Sequence, residues 1–459
     1  MTGYRNRSIW DGAHPVLKVE GLRQRRQSIF YGWWIVGAGI GIQVLLTGLM
    51  MQAFGVYVSV LQADFGWSKT ALSAAFSMQR VESGILGPIQ GWMLTRFGPR
   101  KVMRVGILMF GVGFLFFSRI DSLVEFYAVF LVMAVGASLG GFMAVITALV
   151  NWFDRKRSTA MGIAYTGLSI GGLIVPLVAY SLDTVGWRTT AVISGLLVLT
   201  LGLPLTQVVR TRPEDYGYLP DGADPAERQA QRGAAVEDAG AAPPEPQFTA
   251  REALRTRAFW FISLGHGFAV LMVSAIMVHL VVNLNEEMGY SLQTAALVVA
   301  LMTGLQTVGQ VAGGFLGDRM NKQAILTVTM LGHGVAIIVL AFATNVAMVL
   351  FFAIVHGLAW GVRGPILHSY RAECFGRESF AQVLGFSSMI VMFGMMSGPL
   401  VAGYLADRTG DYQLGFTILG VIALLGSLFF AFATKPAPPR AGETEDEREM
   451  HFGRAVPSS

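Results

Sequence analysis

A short row of polar and aromatic residues interrupts an otherwise apolar stretch in the last quarter of the chain. His356, Trp360, Arg363 and Tyr370 follow one another at spacings of four, three and seven residues. On a helix these spacings place all four side chains on one face. The planar fork of a guanidinium matches an anion such as a carboxylate, so the pattern predicts an anion site at Arg363 with the other three as further binding residues. A structural ion pair with a neighbouring helix is the alternative.

Two more ionisable residues lie within an apolar stretch nearer the N-terminus. Arg80 shares a helical side with Gly84, Gly87 and Gly91, a row of small residues that suits close contact between helices. Glu82 is two residues further on and points about 200° away, so it cannot simply pair with Arg80. Glu82 is therefore a candidate proton-coupling residue. A structural ion pair with a neighbouring helix is the alternative for both.

Uncharged polar residues at helical spacing are the remaining candidates for the site. Gln43 and Thr47 are four residues apart, as are Gln306 and Gln310, and Tyr165 lies on a separate stretch. Such side chains can either bind a ligand or hydrogen-bond between helices within a membrane. We expect them to contribute to the same site as Arg363.

The composition indicates the elements that position these residues. Hydrophobic residues make up 53% of the 459 positions and charged residues only 14%, whereas soluble proteins carry about 25% charged residues. The apolar runs are about 20 residues long and continuous, as expected for helices that cross a bilayer and not for barrel strands. The predicted spans are Tyr31–Leu61, Lys69–Leu94, Val102–Phe117, Leu123–Leu149, Thr159–Leu182, Thr189–Val209, Ala258–Leu284, Leu292–Leu316, Ala324–Ala343, Val346–His368, Phe380–Leu405 and Leu414–Ala433. The fold class is therefore an all-α membrane protein of twelve spans.

The basic residues, which give a net charge of +5, lie between the spans and indicate the topology. The loops on the side of the termini carry Arg96, Arg100, Lys101, Arg104, Arg155, Lys156, Arg157, Arg319, Lys322, Arg371 and Arg377. The opposite loops carry only Lys69, Arg119, Arg188 and Arg408. This asymmetry predicts that both termini lie in the cytoplasm. We expect the membrane to be a bacterial inner membrane.

The two halves of the chain repeat one another. Gly91 and Arg96 after the second span correspond to Gly314 and Arg319 after the eighth, at an offset of about 222 residues. Two parallel six-helix halves are expected to hold a ligand site between them near the middle of the membrane. The expected division is a tail at 1–30, a first bundle at 31–209, a cytoplasmic connector at 210–257, a second bundle at 258–434 and a tail at 435–459.

The loop after the eighth span carries a motif that can be compared with a known family. Its sequence, Gly314-Phe-Leu-Gly-Asp-Arg319-Met-Asn-Lys322, resembles the cytoplasmic loop signature of the major facilitator superfamily, and the loop around Arg96 is its first-half copy. Within that superfamily the chain is similar to bacterial monocarboxylate porters and oxalate:formate exchangers, notably in Arg212-Pro-Glu-Asp-Tyr-Gly217. The resemblance implies a major facilitator fold and a transport activity. It also implies that span ten lines a central cavity.

The same motif predicts a conformational clasp made of Arg96, Asp318 and Arg319. A carboxylate beside a guanidinium at a helix end can accept charge-assisted hydrogen bonds and interact with a nearby helix N-terminus. The first half departs from the signature, because Thr95 stands where an Asp is usual. Span eight also lacks an Arg or Asp before Asp318, so the substrate cannot be carried over from the family.

Several classes of function are excluded by the sequence. It contains no phosphate-binding glycine loop, metal-ligand cluster, nucleophile elbow or zinc-protease motif. We therefore expect neither an enzyme nor a bound cofactor or metal, and neither nucleic acid nor an obligate protein as partner. His266 and His333 titrate near neutrality in water, and His333 is expected to be a packing residue.

These observations favour secondary active transport of a small monocarboxylate-like anion across the lipid bilayer, either together with a proton or by exchange. Efflux of drugs or amphiphiles is an alternative, supported by the 22 Met and 30 Phe residues. A non-transporting membrane sensor is a third possibility.

The topology can be tested with single cysteines in a chain whose native Cys374 is replaced by serine. A cysteine at Ala241, in the connector, should not react with an impermeant maleimide in intact cells and should react after permeabilisation. A cysteine at Arg119, in an opposite loop, should react in both. Ready labelling at Ala241 in intact cells would reverse the predicted orientation.

Overall fold

The computed structural model describes residues 29–223 and 247–437, and its long elements are all helices. The ends of the predicted tails (1–28 and 438–459) and the middle of the connector (224–246) lie outside the described residues. Twelve long helices follow one another as α1 Tyr31–Phe65, α2 Lys69–Phe97, α3 Pro99–Phe117, α4 Leu123–Trp152, α5 Arg157–Val185, α6 Trp187–Val208, α7 Arg257–Glu287, α8 Leu292–Gly317, α9 Lys322–Ala341, α10 Val346–Phe375, α11 Phe380–Thr409 and α12 Gln413–Phe432.

Ten of these helices are long and apolar enough to cross a membrane. The other two are α2, whose apolar character is interrupted by Arg80 and Glu82, and α3, whose first turns carry three cations. With these two the structure has the twelve helices that the sequence predicts. The boundaries differ from the predicted ones by a few residues; for example, α1 ends at Phe65 and not at Leu61. Within α1, residues Thr47–Gln52 form a π-helical segment.

Helix starts coincide with side-chain caps encoded in the sequence. Ser68, Ser122, Ser291 and Asn345 each precede a long helix and accept a hydrogen bond from the amide three residues on. These caps satisfy amides that the first turn of a helix leaves without partners. Each cap fixes where a membrane helix begins. A short helix at Ala250–Arg255 precedes α7 and starts with a capping box.

Helices α1–α6 and α7–α12 form two bundles, each around its own apolar core. Phe110, Phe114 and Phe126 are fully buried in the first bundle, and Phe352 and Phe416 in the second. Large apolar side chains also cover the outside: Phe116 is 61% exposed and Leu400 69% exposed. An apolar exterior around two apolar cores suits a bilayer as solvent.

Glycines bring the two bundles together along two symmetric seams. A Cβ at Gly91 of α2 would lie 2.5 Å from the carbonyl oxygen of Ala381 at the start of α11. A Cβ at Gly314 of α8 would lie 2.9 Å from the carbonyl oxygen of Ser158 at the start of α5. Gly314 and Ala381 are the positions 223 residues after Gly91 and Ser158. The same backbone contact therefore occurs twice, once on each seam.

The α8–α5 seam is also joined by the carboxylate of Asp318. Its Oδ1 accepts a hydrogen bond from the amide of Ser158 at 2.8 Å, and its Oδ2 accepts one from Thr159 at 2.9 Å. These amides belong to the first turn of α5, where the helix dipole favours a negative charge. Asp318 thus contacts the N-terminus of a helix from the other bundle.

The other two residues of the predicted clasp do not make such a contact among the described residues. Arg319 turns back on its own helix, and its Nη1 donates to the carbonyl of Phe315 at 3.2 Å. Arg96 is exposed. In the first-half copy the hydroxyl of Thr95 donates to the carbonyl of Gly91 on its own helix. Because Thr95 carries no charge, the contact between the bundles is asymmetric.

The motif at Arg212–Gly217 adds two ion pairs between the bundles. Arg212 lies 3.5 Å from Glu378, and Glu214 lies 2.7 Å from Arg377, with both partners in the turn between α10 and α11. We call the face at which α1 begins and α12 ends the terminal face. The seams and these ion pairs all lie between the middle of the bundle and this face, so the space between the bundles opens towards the opposite face.

Removing the charge of Asp318 should loosen the terminal face. Asp318→Asn loses an ionic hydrogen-bond acceptor for two amides, which is worth about 2 kcal/mol. In a Cys374→Ser chain, a cysteine at the buried Ala381 should then react with a maleimide about 30-fold faster. The exposed Asp183 supplies the control, and Asp183→Asn should leave this rate unchanged. An Asp318→Asn rate equal to that of the parent chain would show that the carboxylate does not hold the seam.

Candidate functional site

A cavity of about 510 Å³ lies between the two bundles. Helices α1, α2, α4 and α5 of the first bundle and α7, α8, α10 and α11 of the second contribute most of its wall. Two cationic side chains, Arg80 and Arg363, line it, and no described lining residue carries a carboxylate. The other polar lining residues are Gln43, Thr47, Gln79, Ser83, Gln90, Ser138, Tyr165, His266, Gln306, Gln310, Trp360, His368, Ser387 and Ser388. The cavity is therefore small, amphipathic and positively charged.

Arg363 is the buried cation of this cavity. Only 3% of the residue is exposed, and its Nε and Nη1 have no hydrogen-bond partner among the described residues. An ion held away from water without a counterion costs several kcal/mol. The guanidinium of Arg363 therefore places on the cavity wall a positive charge that no described residue balances.

Close packing fixes the segment of α10 that carries Arg363. At Gly361 the backbone of α10 meets that of α8 so closely that a Cβ would overlap the carbonyl oxygen of Gln306. At Gly364 a Cβ would lie 3.0 Å from the ring of Tyr165 on α5. The missing side chains thus allow α8 and α5 to hold α10 from two sides. Arg363 projects from a rigid support, as precise ligand binding requires.

Four rings close the cavity towards the terminal face, and we call them the cavity floor. Phe142, Tyr165, His266 and His368 come from four helices, two in each bundle. The centroid of Phe142 lies 5.1 Å from that of Tyr165 and 5.6 Å from that of His368, and His266 lies 5.8 Å from His368. The Tyr165 hydroxyl also lies 3.5 Å from the carbonyl of Gly364. These rings separate the cavity from the terminal face.

The predicted stripe on α10 is only partly correct. Trp360 and Arg363 line the cavity, but His356 is fully buried against α9, with its Nδ1 3.1 Å from Nδ1 of His333. The Tyr370 hydroxyl donates to the carbonyl of Ala433 at the end of α12. The stripe is about 21 Å long, and its two ends meet helices on the outer side of α10 and not the cavity.

A second correction concerns Arg371, which the sequence assigned to a cytoplasmic loop. The structure places it inside α10, two turns beyond Arg363, and fully buried. Its Nη1 lies 3.1 Å from Nδ1 of His368, and its Nη2 donates to the hydroxyl of Ser387 at 3.0 Å. The apolar run ends near His368, and no sequence pattern showed that α10 continues to Phe375 with Arg371 facing inward.

Arg80 and Glu82 lie on different surfaces of α2, as their spacing predicts. Arg80 lines the cavity, and its Nη1 lies 3.0 Å from the sulfur of Met395 on α11. Glu82 faces a shallow groove on the outer surface beside α4. Its Oε2 accepts hydrogen bonds from Ser83 and Ser138, each at 3.1 Å. Because both serines also line the cavity, hydroxyl groups link the carboxylate to it.

The uncharged candidates all lie on the cavity wall. Gln43 donates to the carbonyl of Ala164 at 2.9 Å, which joins α1 to α5. Thr47 donates to the carbonyl of Gln43, one turn before it. The Oε1 atoms of Gln43 and Gln310 are buried without partners in the described part of the chain. The wall thus offers acceptors as well as donors for the uncharged part of a ligand.

The described residues include no group of three or more His, Cys, Asp or Glu residues that could hold a metal ion. What the cavity offers is buried positive charge, polar side chains and an apolar surface that includes Trp360. Such a combination can accommodate a small anion with an apolar portion.

Sequence comparison agrees with this architecture. Residues 40–332 and 262–457 match the family model described as Major Facilitator Superfamily. Monocarboxylate transporter 13 from Rattus norvegicus is 28% identical over 86% of this chain and 87% of its own length. The probable sulfoacetate transporter SauU from Cupriavidus necator is 26% identical over 88% of this chain and 93% of its own. These relatives are transporters, which confirms the prediction that the protein is not an enzyme.

Solved structures show the same fold. The human organic anion transporter MFSD10 has a TM-score of 0.64 at 16% identity and covers 86% of this chain and 98% of its own. The proton:xylose symporter XylE has a TM-score of 0.64 at 17% identity, over 92% of this chain and 99% of its own. The family match spans both bundles, and the twelve helices form the architecture that it implies. The chain is a multi-pass membrane protein that belongs to the major facilitator superfamily of transporters.

Proposed function

We propose that this protein moves a small monocarboxylate-like anion across the membrane by alternating access to the central cavity. The unpartnered guanidinium of Arg363 is the observation that carries the proposal. A cavity with two lining cations and no described lining carboxylate attracts anions and repels cations. A monocarboxylate on either planar edge of the guanidinium would satisfy one of these unused donors, Nε or Nη1.

The names of the relatives support the same class of substrate. Monocarboxylate transporter 13 and the probable sulfoacetate transporter are both named for organic acids. Their identities of 28% and 26% extend over most of each chain. They support a small organic anion as substrate and leave its identity to experiment.

In the proposed binding mode the carboxylate pairs with the planar fork of Arg363. Trp360 provides an apolar surface for the carbon chain, three residues before it on the same helix. Gln43 and Gln310 offer their free amide oxygens to a hydroxyl group on the substrate. Tyr165 and the other floor rings prevent the anion from reaching the terminal face in this conformation. His356 and Tyr370, which face other helices, would support α10 from outside the cavity.

Whether transport is coupled to protons depends on which residue can bind a proton. We propose Glu82 as the proton-binding residue of a symport mode, with Ser83 and Ser138 connecting it to the cavity. The Oε1 of Glu82 has no hydrogen-bond partner among the described residues, so it is available for a proton. Exchange of one anion for another needs no net proton movement and would therefore proceed without proton binding at Glu82. We propose the bacterial inner membrane as the location, with the terminal face in the cytoplasm.

A second candidate function is efflux of amphiphilic compounds. The observation that favours it is a set of flexible thioether side chains in the cavity wall, namely Met50, Met51, Met133, Met143, Met392 and Met395. Methionine adapts to ligands of different shape, as a broad-specificity site requires. Uptake into proteoliposomes distinguishes the alternatives. An anion transporter takes up only a charged substrate, whereas a membrane sensor shows no solute flux under any imposed gradient.

Arg363 should determine anion affinity. Arg363→Ala removes the buried counter-charge and should weaken binding of the tightest-binding carboxylate in a series from acetate to lactate by at least tenfold. Arg363→Lys keeps the charge but loses the planar fork, so its affinity should lie in between. Titration calorimetry on purified protein measures both. Lactamide, which is neutral, should not compete with lactate.

The exposed Arg408 provides the matched control for this experiment. Arg408→Ala should bind the carboxylate with the affinity of the parent protein. If Arg363→Ala, purified as a folded monodisperse protein, also bound with unchanged affinity, Arg363 would not be the anion ligand, and its role would be structural.

Glu82 should separate uphill transport from exchange. Glu82→Gln should abolish uptake driven by a pH gradient in proteoliposomes, because no residue then carries the proton, and should leave exchange of labelled for unlabelled substrate intact. Glu286→Gln, which changes an exposed acid at the end of α7, is the control. A Glu82→Gln protein that still concentrates substrate under a pH gradient would exclude Glu82 from coupling.

A further inference from the structure

Arg371 is a buried cation that the binding mode above does not use. It lies eight residues after Arg363 on α10, or about 12 Å closer to the terminal face. The residue has no exposed surface, and it is among the largest fully buried side chains of the protein. A cation in the membrane interior is costly and is retained where it has a function.

The partners of Arg371 do not neutralise its charge. Its Nη1 meets the ring nitrogen of His368 at 3.1 Å, and its Nη2 donates to the hydroxyl of Ser387 at 3.0 Å. Its Nε has no hydrogen-bond partner among the described residues. None of the hydrogen bonds or ion pairs of Arg371 in the described part of the chain involves a carboxylate. The guanidinium is therefore positioned by neutral groups and remains available to an anion.

Arg371 lies just behind the cavity floor. Its two partners, His368 and Ser387, line the cavity, whereas Arg371 itself does not. His368, a member of the floor, lies between Arg363 and Arg371 along α10 and contacts Nη1 of Arg371. The floor thus separates two buried cations, Arg363 on the cavity side and Arg371 on the side of the terminal face.

The two bundles share the floor equally, which indicates how it can open. Phe142 and Tyr165 belong to the first bundle, and His266 and His368 to the second. At the terminal face the α8–α5 seam ends at Asp318, which accepts hydrogen bonds from two amides in the first turn of α5. When the bundles separate at the terminal face, Phe142 and Tyr165 move away from His368. Arg371 then faces the space between the bundles.

We propose that Arg371 is a second anion site, which binds the substrate's carboxylate when the cavity is open to the terminal face. This inference rests on the proposed function. Arg363 holds the anion in the conformation described here, and Arg371 attracts it across the floor when the bundles separate. The anion passes from one cation to the other, so a positive charge lies near it in both conformations. Neither cation therefore needs to bind it tightly.

The test compares the effect of Arg371→Gln in two conformational backgrounds. Lactate is the probe, and its dissociation constant is measured by titration calorimetry on the full-length protein. The parent chain favours the conformation in which Arg371 is behind the floor. Asp318→Asn weakens the terminal seam and shifts the population towards the terminal-open conformation. Arg251→Gln, on the short helix before α7, is the control in both backgrounds.

Arg371→Gln should change the dissociation constant less than twofold in the parent background and raise it at least tenfold in the Asp318→Asn background. Arg371→Lys, which keeps a cation, should fall between the parent and Arg371→Gln in the second background, and its intermediate value separates a charge effect from a packing defect. Equal effects of Arg371→Gln in both backgrounds, or no effect in either, would overturn the second site. Absence of lactate binding in all variants, including the parent, would overturn the proposed function together with this inference.

Discussion

A buried guanidinium without a counterion dominates the chemistry of this protein. Arg363 is held within the membrane by two close helix contacts, and it lines a cavity whose described lining has no carboxylate. An unpaired charge in such a place raises the free energy of the empty protein by several kcal/mol. A bound anion would relieve that cost, which is why we propose an anionic substrate. The glycines beside Arg363 are equally necessary, since they allow α5 and α8 to fix its position.

The duplicated architecture explains how such a site can be closed on one side and open on the other. Each bundle has its own apolar core, so the bundles can move as units. Contact between them is concentrated at two seams, where glycines let backbones meet directly. Only one seam carries a charge clasp, because Asp318 has Thr95 as its counterpart in the first half. The Asp318 clasp and the ion pairs of Arg212 and Glu214 would have to separate for the bundles to part at the terminal face.

The sequence predicted the parts of this architecture that depend on periodicity. Twelve apolar runs and the repeat of Gly91 as Gly314 follow from spacing alone, whereas the inward position of Arg363 was expected from the family resemblance, which implies that span ten lines a cavity. The roles of His356 and Tyr370 could not be predicted in this way. Spacing defines a face of an isolated helix, whereas the neighbours of that face change along its length: α9 covers His356, and the end of α12 covers Tyr370. Arg371 was missed because a basic residue near the end of an apolar run resembles a topology signal.

The central claim is that Arg363 binds the carboxylate of the substrate between the two bundles. A crystal structure with 3-bromopropionate tests it most directly, because anomalous scattering locates the bromine and density locates the carboxylate. The account predicts bromine within the central cavity and carboxylate oxygens within hydrogen-bond distance of the guanidinium of Arg363, with Nε or Nη1 among the donors. Bromopropionate bound elsewhere, with the donors of Arg363 still unoccupied, would contradict it.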